Sequence, residues 1–222
     1  WILHKRLAAD SDTPFSGLLP AGFSAEHLGP NDYYYWDDFW GVAGLRAAAD
    51  WFLRLGESHY AKRYHKEADQ FFECIQKSLA GVAERFNQQG MPASPFRRMD
   101  PGAIGSLVAG YPLQLLGADD QKLLSTVDFL MENCCVQGGF FQDVIHSGIN
   151  AYLTLHMAQV LLRAGDIRGL QLFRTVAELA SPTGQWPEAI HPRTLGGCMG
   201  DGHHVWASAE WVVMQRNCFV RE

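Results

Sequence analysis

Gly102-Ala103-Ile104-Gly105-Ser106-Leu107-Val108-Ala109-Gly110 carries no charge and is small or apolar on every face. A helix built from it has no side to turn toward water, so it belongs inside. Elsewhere the chain behaves differently: Tyr60, Tyr64, Ala68, Phe71, Phe72, Ile75, Leu79, Val82 and Phe86 recur at three- and four-residue spacing, with Lys, Glu and Gln between them. That spacing is a helix with one face in solvent. The two kinds alternate, and so do their connections. Short turns near Gly56, Gly117 and Gly165 alternate with long irregular stretches before Trp36, Pro101, Ser147 and His204. Helices entered through the long stretches are charge-poor and rich in Gly and Ala, and those entered through short turns are amphipathic. The pattern predicts an all-α domain of helical hairpins, inner helices packed together and outer helices around them, with the long loops gathered at one end.

In chain order, 1–9 reads as the tail of a helix and 11–30 as a long loop. Helices are then expected over 36–55, 60–86, 101–116, 119–133, 147–164, 167–180 and 205–217. Pro101 suits the first turn of its helix. Loops longer than about 12 residues are usually functional or disordered, and these are too aromatic for disorder.

At 222 residues and 47% hydrophobic content the chain can bury a sizeable core, and one globular unit over 1–222 is expected. The net charge of -6, with 18 Lys plus Arg and no basic run, argues against a nucleic-acid surface and leaves neutral substrates such as sugars. No apolar run reaches the roughly 18 residues of a membrane span, so no membrane partner is expected. Five cysteines, an odd number in a chain too large to need staples, favour reduced thiols and a cytoplasmic location. The chain opens at Trp1 without a Met.

Asn31-Asp32-Tyr33-Tyr34-Tyr35-Trp36-Asp37-Asp38-Phe39-Trp40 interleaves acids and an amide with six rings. Such a mixture is poor core material and suits a sugar: rings stack on its apolar faces, and carboxylates handle hydroxyls and the glycosidic oxygen. The second long loop adds Phe96, Arg97 and Arg98. The third adds Phe140, Phe141, Gln142, Asp143 and His146. The fourth adds Gln185-Trp186-Pro187-Glu188-Ala189-Ile190-His191-Pro192, His203, His204 and Trp206. Asp37 or Asp38 and Glu188 thus lie on separate loops of one end. Inverting glycoside hydrolysis needs two carboxyls about 6.5–9.5 Å apart, which two loops can set.

Here the chain resembles the inverting glycosidases of (α/α)6-barrel fold, the glucoamylase, trehalase and glucosidase I kind. Trp36-Asp37-Asp38 is similar to the Trp-acid motif of the general acid in those enzymes. Pro187-Glu188-Ala189-Ile190-His191-Pro192 is similar to the Pro-Glu-Gln segment that carries the general base, with Ala189 departing from Gln. The family places seven helices from the acid loop to the end of its barrel, with the base before the last, and the same count is read here. The resemblance implies Asp37 as acid and Glu188 as base. The loops are expected to place Tyr35, Trp36, Asp38, Trp40, Arg97, Phe141, Trp186, His191 and His204 around the substrate, the rings either stacking the sugar or packing the loops against the barrel end, with neither cofactor nor metal required. The resemblance covers the whole chain but only the later part of a family domain, so about five helices are expected upstream, and the remainder of the polypeptide is the expected partner that completes the barrel.

Other readings stay open. Asp38 is alternatively the acid, or a first-turn carboxylate that offsets the helix dipole. Arg97 and Arg98 either clamp substrate or form loop salt bridges. His203, His204, Cys198, Asp201 and His191 invite a zinc site, but none has the spacing that zinc sites show. The domain as a whole is alternatively a catalytically silent module that binds carbohydrate or a partner.

Overall fold

The computed structural model describes residues 1–9, 12–24, 30–143 and 147–220. Among them are eight helices: α1 (Ile2–Lys5), α2 (Tyr35–Arg54), α3 (Ser58–Phe86), a 3-10 helix (Pro101–Ala109), α4 (Gln121–Asn133), α5 (Ala151–Ala164), α6 (Arg168–Glu178) and α7 (Val205–Phe219). The expected alternation is present. α2 packs along α3, the 3-10 helix along α4, and α5 along α6, and the first member of each pair touches its counterpart in the next hairpin. α2, the 3-10 helix, α5 and α7 therefore form an inner row that starts at one end, with α3, α4 and α6 outside it. No helix among the described residues is long and apolar enough to cross a membrane.

The charge-free stretch is buried from Gly102 to Ala109, as its composition demands. Asp100 caps it, its carboxylate accepting from the Gly102 N–H at 2.7 Å, and Pro101 occupies its first turn. It is nevertheless a 3-10 helix and stops at Ala109, short of the expected 116. The Pro112 ring disfavours helical backbone at Tyr111 and removes an N–H, so the coil cannot run on. Asn87, in the left-handed region at φ 50°, ends α3, where Gly90 was expected to do so.

The third and fourth loops are not irregular throughout. They contribute a five-stranded antiparallel sheet, in the order β1 (Cys135–Val136), β2 (Gly139–Asp143), β3 (Ser147–Ile149), β4 (Ala189–Ile190) and β5 (Gly197–Met199). Ile149 pairs with Ile190, which stitches the two loops together. The expected helix over 147–164 consequently begins only at Ala151, where the Asn150 side chain accepts from the Leu153 N–H at 2.9 Å. α1 is a single helical turn, Ile2–Lys5, within the stretch 1–9.

Candidate active site

The inner row starts at the end where the loops lie, so the first turns of α2, α5 and α7 face the same way as the loop residues. Loop one is tied down by the acids of its own stretch. Asp32 accepts from Ser94 Oγ at 2.7 Å and from Arg97 Nε at 3.2 Å, and Arg97 also reaches Asp100 and the Tyr34 hydroxyl. Phe15 and Tyr33 stack at 4.5 Å with Phe96 against both. The rings of Tyr33 and Tyr34 thus hold loops one and two together. Tyr35 is fully buried, its hydroxyl 2.7 Å from Ser78 Oγ. No face of that ring is left for a sugar, which corrects its expected place at the substrate. Arg97 is likewise occupied: its guanidinium serves the loop ion pair.

Asp37 and Asp38 sit side by side in the first turn of α2 and meet different fates. Asp37 is half-buried, and burial raises its carboxyl above the ordinary carboxylate range, opposed by a hydrogen bond from Ser24. Asp38 is 1% exposed; its Oδ1 accepts from the Leu19 N–H at 2.9 Å, while Oδ2 is buried without a partner. Burial, with Asp37 adding to it, pushes Asp38 up to about 8 against the Leu19 bond and the more distant Arg6. Asp38 therefore faces the underside of loop one, and its expected contact with substrate gives way to holding that loop on α2. Beside Asp37, Trp36 is half-buried and Trp40 is exposed, their ring centroids 5.8 Å apart.

Glu188 precedes β4 and is half-buried, its N–H bonded to the Asp201 carbonyl at 2.9 Å. Gly200, at φ 71°, packs so closely on it that a Cβ there would collide with the Glu188 carboxylate. His204, the residue before α7, donates its N–H to the Trp186 carbonyl, and its Nδ1 is buried without a partner. Burial lowers its imidazole below the ordinary value, while Glu188 and Asp201 pull the other way. Trp186 is 3% exposed, with Nε1 donating to the Val176 carbonyl at 2.8 Å and its ring 5.2 Å from Trp211. It is a core ring, again contrary to expectation. His191 organises its own turn, Nδ1 accepting from the N–H groups of Arg193 and Thr194, and Phe141 is half-buried on β2 against the core. His146 lies outside the described residues. Among the described residues, no three His, Cys, Asp or Glu side chains are grouped to hold a metal ion.

Two groups were missed or undervalued in the sequence. Tyr152, in the first turn of α5, meets the 60%-exposed Trp206 ring at 5.3 Å and His204 at 6.2 Å. These three rings make a partly open aromatic wall at the start of α5 and α7. Tyr152 follows the Asn150 cap, a placement that periodicity alone assigns equally well to core. Glu210, on α7, accepts from Gln159 Nε2 at 2.7 Å and from the Tyr111 hydroxyl, and burial raises its carboxyl. It carries no motif by which sequence reading finds it.

No family model and no curated protein matches the chain. Solved structures do. A bacterial glucoamylase complexed with acarbose superposes with a TM-score of 0.62 over 85% of this chain at 16% identity. A glycosidase with a Glu-to-Ala substitution superposes at 0.59 over 89% with 14% identity, and one with a Tyr-to-Phe substitution at 0.53 over 79% with 16% identity. The chain spans 34%, 55% and 51% of those proteins, respectively. The fold is therefore that of the glucoamylase-like six-hairpin glycosidases, of which this chain supplies an arc of the α/α toroid.

Proposed function

We propose that the chain forms part of a glycoside hydrolase that inverts configuration at an α-glucoside or a related small glycoside, with Asp37 as general acid and Glu188 as general base. The observation that carries this is the state of Asp37: a half-buried carboxyl at the loop end, raised above the ordinary range by burial, beside partly open indoles. A general acid must hold its proton near working pH, and desolvation is the usual way to arrange it. Glu188 supports the second role, since it lies on another loop of the same end, held by Gly200 and the Asp201 carbonyl. In the reaction Asp37 gives its proton to the leaving oxygen while Glu188 takes one from the attacking water, so one bond to the anomeric carbon forms as the other breaks. Tyr152 and Trp206 offer a stacking wall.

Two apolar flanks support the expectation that more polypeptide completes the barrel. α7 buries only Ala207 and Met214 of its own residues, and the last turns of α2 with the Leu55 that follows leave Trp51, Leu53 and Leu55 exposed. We take the chain as one portion of a catalytic domain whose remainder covers these flanks. The five free thiols support a reducing, cytoplasmic setting.

The test is Asp37→Asn and Glu188→Gln in the full-length polypeptide, assayed on α-glucosides with the anomer of the first product read by NMR. Each substitution is expected to lower kcat by about 10²–10⁴. Undiminished turnover in both, or retention of configuration, would sink the proposal. A silent carbohydrate-binding module is the second reading, favoured by the partly open wall of Tyr152 and Trp206, which would hold a sugar with or without a working acid. It predicts sugar binding with no hydrolysis by the unsubstituted protein.

A further inference from the structure

We infer that Ser24 is a positioning residue for Asp37, its hydroxyl held on that carboxyl by a loop-one segment that Asp38 pins to α2. The inference rests on the reading of Asp37 as the general acid and adds the group that governs its proton.

The two carboxyls in the first turn of α2 are bonded from one stretch of chain. Leu19 gives its N–H to Asp38 Oδ1 at 2.9 Å, and Ser24 hydrogen-bonds through its side chain to Asp37. Between them Gly22 exchanges both backbone hydrogen bonds with Asp32, at 3.0 and 3.1 Å, and Asp32 is itself fixed by Ser94 and Arg97. Ahead of Leu19, the Leu7 N–H donates to the Leu18 carbonyl at 2.8 Å, and Arg6 Nε donates to the Gly17 carbonyl at 2.8 Å. The segment is thus tethered at Gly17, Leu18, Leu19 and Gly22 before it reaches Ser24, which is 0% exposed. A buried hydroxyl needs a partner, and a backbone carbonyl supplies one to Ser16 and to Ser106. Ser24 meets the candidate acid.

That contact matters because Asp37 must first hold a proton and then part with it. Burial meets the first requirement by raising the carboxyl. The hydroxyl meets the second: it donates to the carboxylate formed as the proton passes to the glycosidic oxygen, and a hydrogen bond to an ion is about twice as strong as one between neutral groups. Ser24 keeps its own proton throughout. The titratable groups that bear on the pair are the two carboxyls on each other, Arg6, Tyr34 and Tyr35, and burial raises both phenols, which keeps them neutral. Asp38 contributes indirectly, since its Oδ1 holds Leu19 and its Oδ2 is buried without a partner.

Carbon-13 NMR of labelled aspartate carboxyls in the full-length polypeptide, with the Asp37 signal assigned by Asp37→Asn, reads this titration directly. Ser24→Ala is expected to move it upward by about one pH unit, the size of one hydrogen bond to an ion, and to carry the alkaline limb of the kcat–pH profile with it. Asp38→Asn keeps an acceptor for Leu19 and should leave the Asp37 titration in place. Asp38→Leu removes the tether, and in that background Ser24→Ala should shift the titration no further. Circular dichroism reports whether each variant is folded. A folded Ser24→Ala protein in which Asp37 titrates unchanged or lower overturns the inference, whatever Asp38→Leu does. Equal shifts by Ser24→Ala with and without the tether overturn the part assigned to Asp38. The titration needs no turnover, so a full-length protein that hydrolyses no glycoside would sink the proposed function while the Asp37 signal still decides the role of Ser24.

Discussion

Asp38 shows how a residue next to a proposed catalytic acid acquires a different task. Its carboxyl is pushed up to about 8 by burial, from an ordinary 3.8. The folded chain therefore holds a proton that the unfolded chain has released over the interval between those values. Stability from this group is complete below about pH 4 and is lost as pH rises toward 8. The slope cannot exceed about 1.4 kcal/mol per pH unit for one group. Urea denaturation at pH 5 and pH 8 should find the protein weaker at pH 8, and Asp38→Asn, which keeps an acceptor for Leu19, should flatten the difference. An unaltered slope in the Asn variant would assign the effect elsewhere. Gly200 allows a second test at the same scale. Gly200→Ala combines a left-handed backbone with a collision against Glu188, whereas Gly184, at φ 76°, has open space around it. Both substitutions should cost about 1 kcal/mol or more in backbone strain. Only Gly200→Ala should also lower kcat, through Glu188, and equal activity in the two variants would remove Gly200 from that role.

Among elements, the joint between loops one and two is carried by Arg97 and Asp32, whose side chains are 22% and 16% exposed. Removing one partner strands a partly buried charge, so Asp32→Ala is expected to cost about 1–3 kcal/mol. A double-mutant cycle on Asp32 and Arg97 should give a coupling above about 1 kcal/mol, whereas the exposed Arg174–Glu178 pair should give about 0.5 kcal/mol or less. Coupling no larger than that of the exposed pair would make the loop joint a matter of ring packing alone. The 3-10 helix teaches a related lesson. Its burial follows from composition, but its length follows from Pro112, a breaker inside a stretch that otherwise reads as continuous apolar helix. The sheet is subtler still, because strands of two or three residues exist only through pairing between loops distant in the chain, as Ile149 and Ile190 are, 41 residues apart.

The whole molecule presents apolar flanks on α2 and α7, including Trp51, Val212 and Phe219. Exposed apolar surface of this extent drives association. Light scattering on the 222-residue chain alone should show mass rising with concentration, and Trp51→Lys with Val212→Lys should reduce it. A monodisperse monomer that binds no hydrophobic dye would contradict the proposal that further polypeptide covers these flanks. The sequence by itself determined the hairpin alternation, the burial of Gly102 to Ala109, the gathering of the loops and the candidate acids, because helical periodicity and charge content are local properties of a chain. It could not sort the rings and cations of the loops. Tyr33 to Tyr35, Trp186 and Arg97 have the same chemistry whether they face a ligand or a neighbouring loop. Only tertiary packing decides which, by filling one side of each with Ser78, Val176 or Asp32. The same packing sent neighbouring carboxyls apart, leaving Asp37 at the half-buried surface of the site and Asp38 beneath it on the Leu19 N–H. One helical step of 100° separates an exposed role from a buried one, and what lies at the end of that step is supplied by residues distant in the chain.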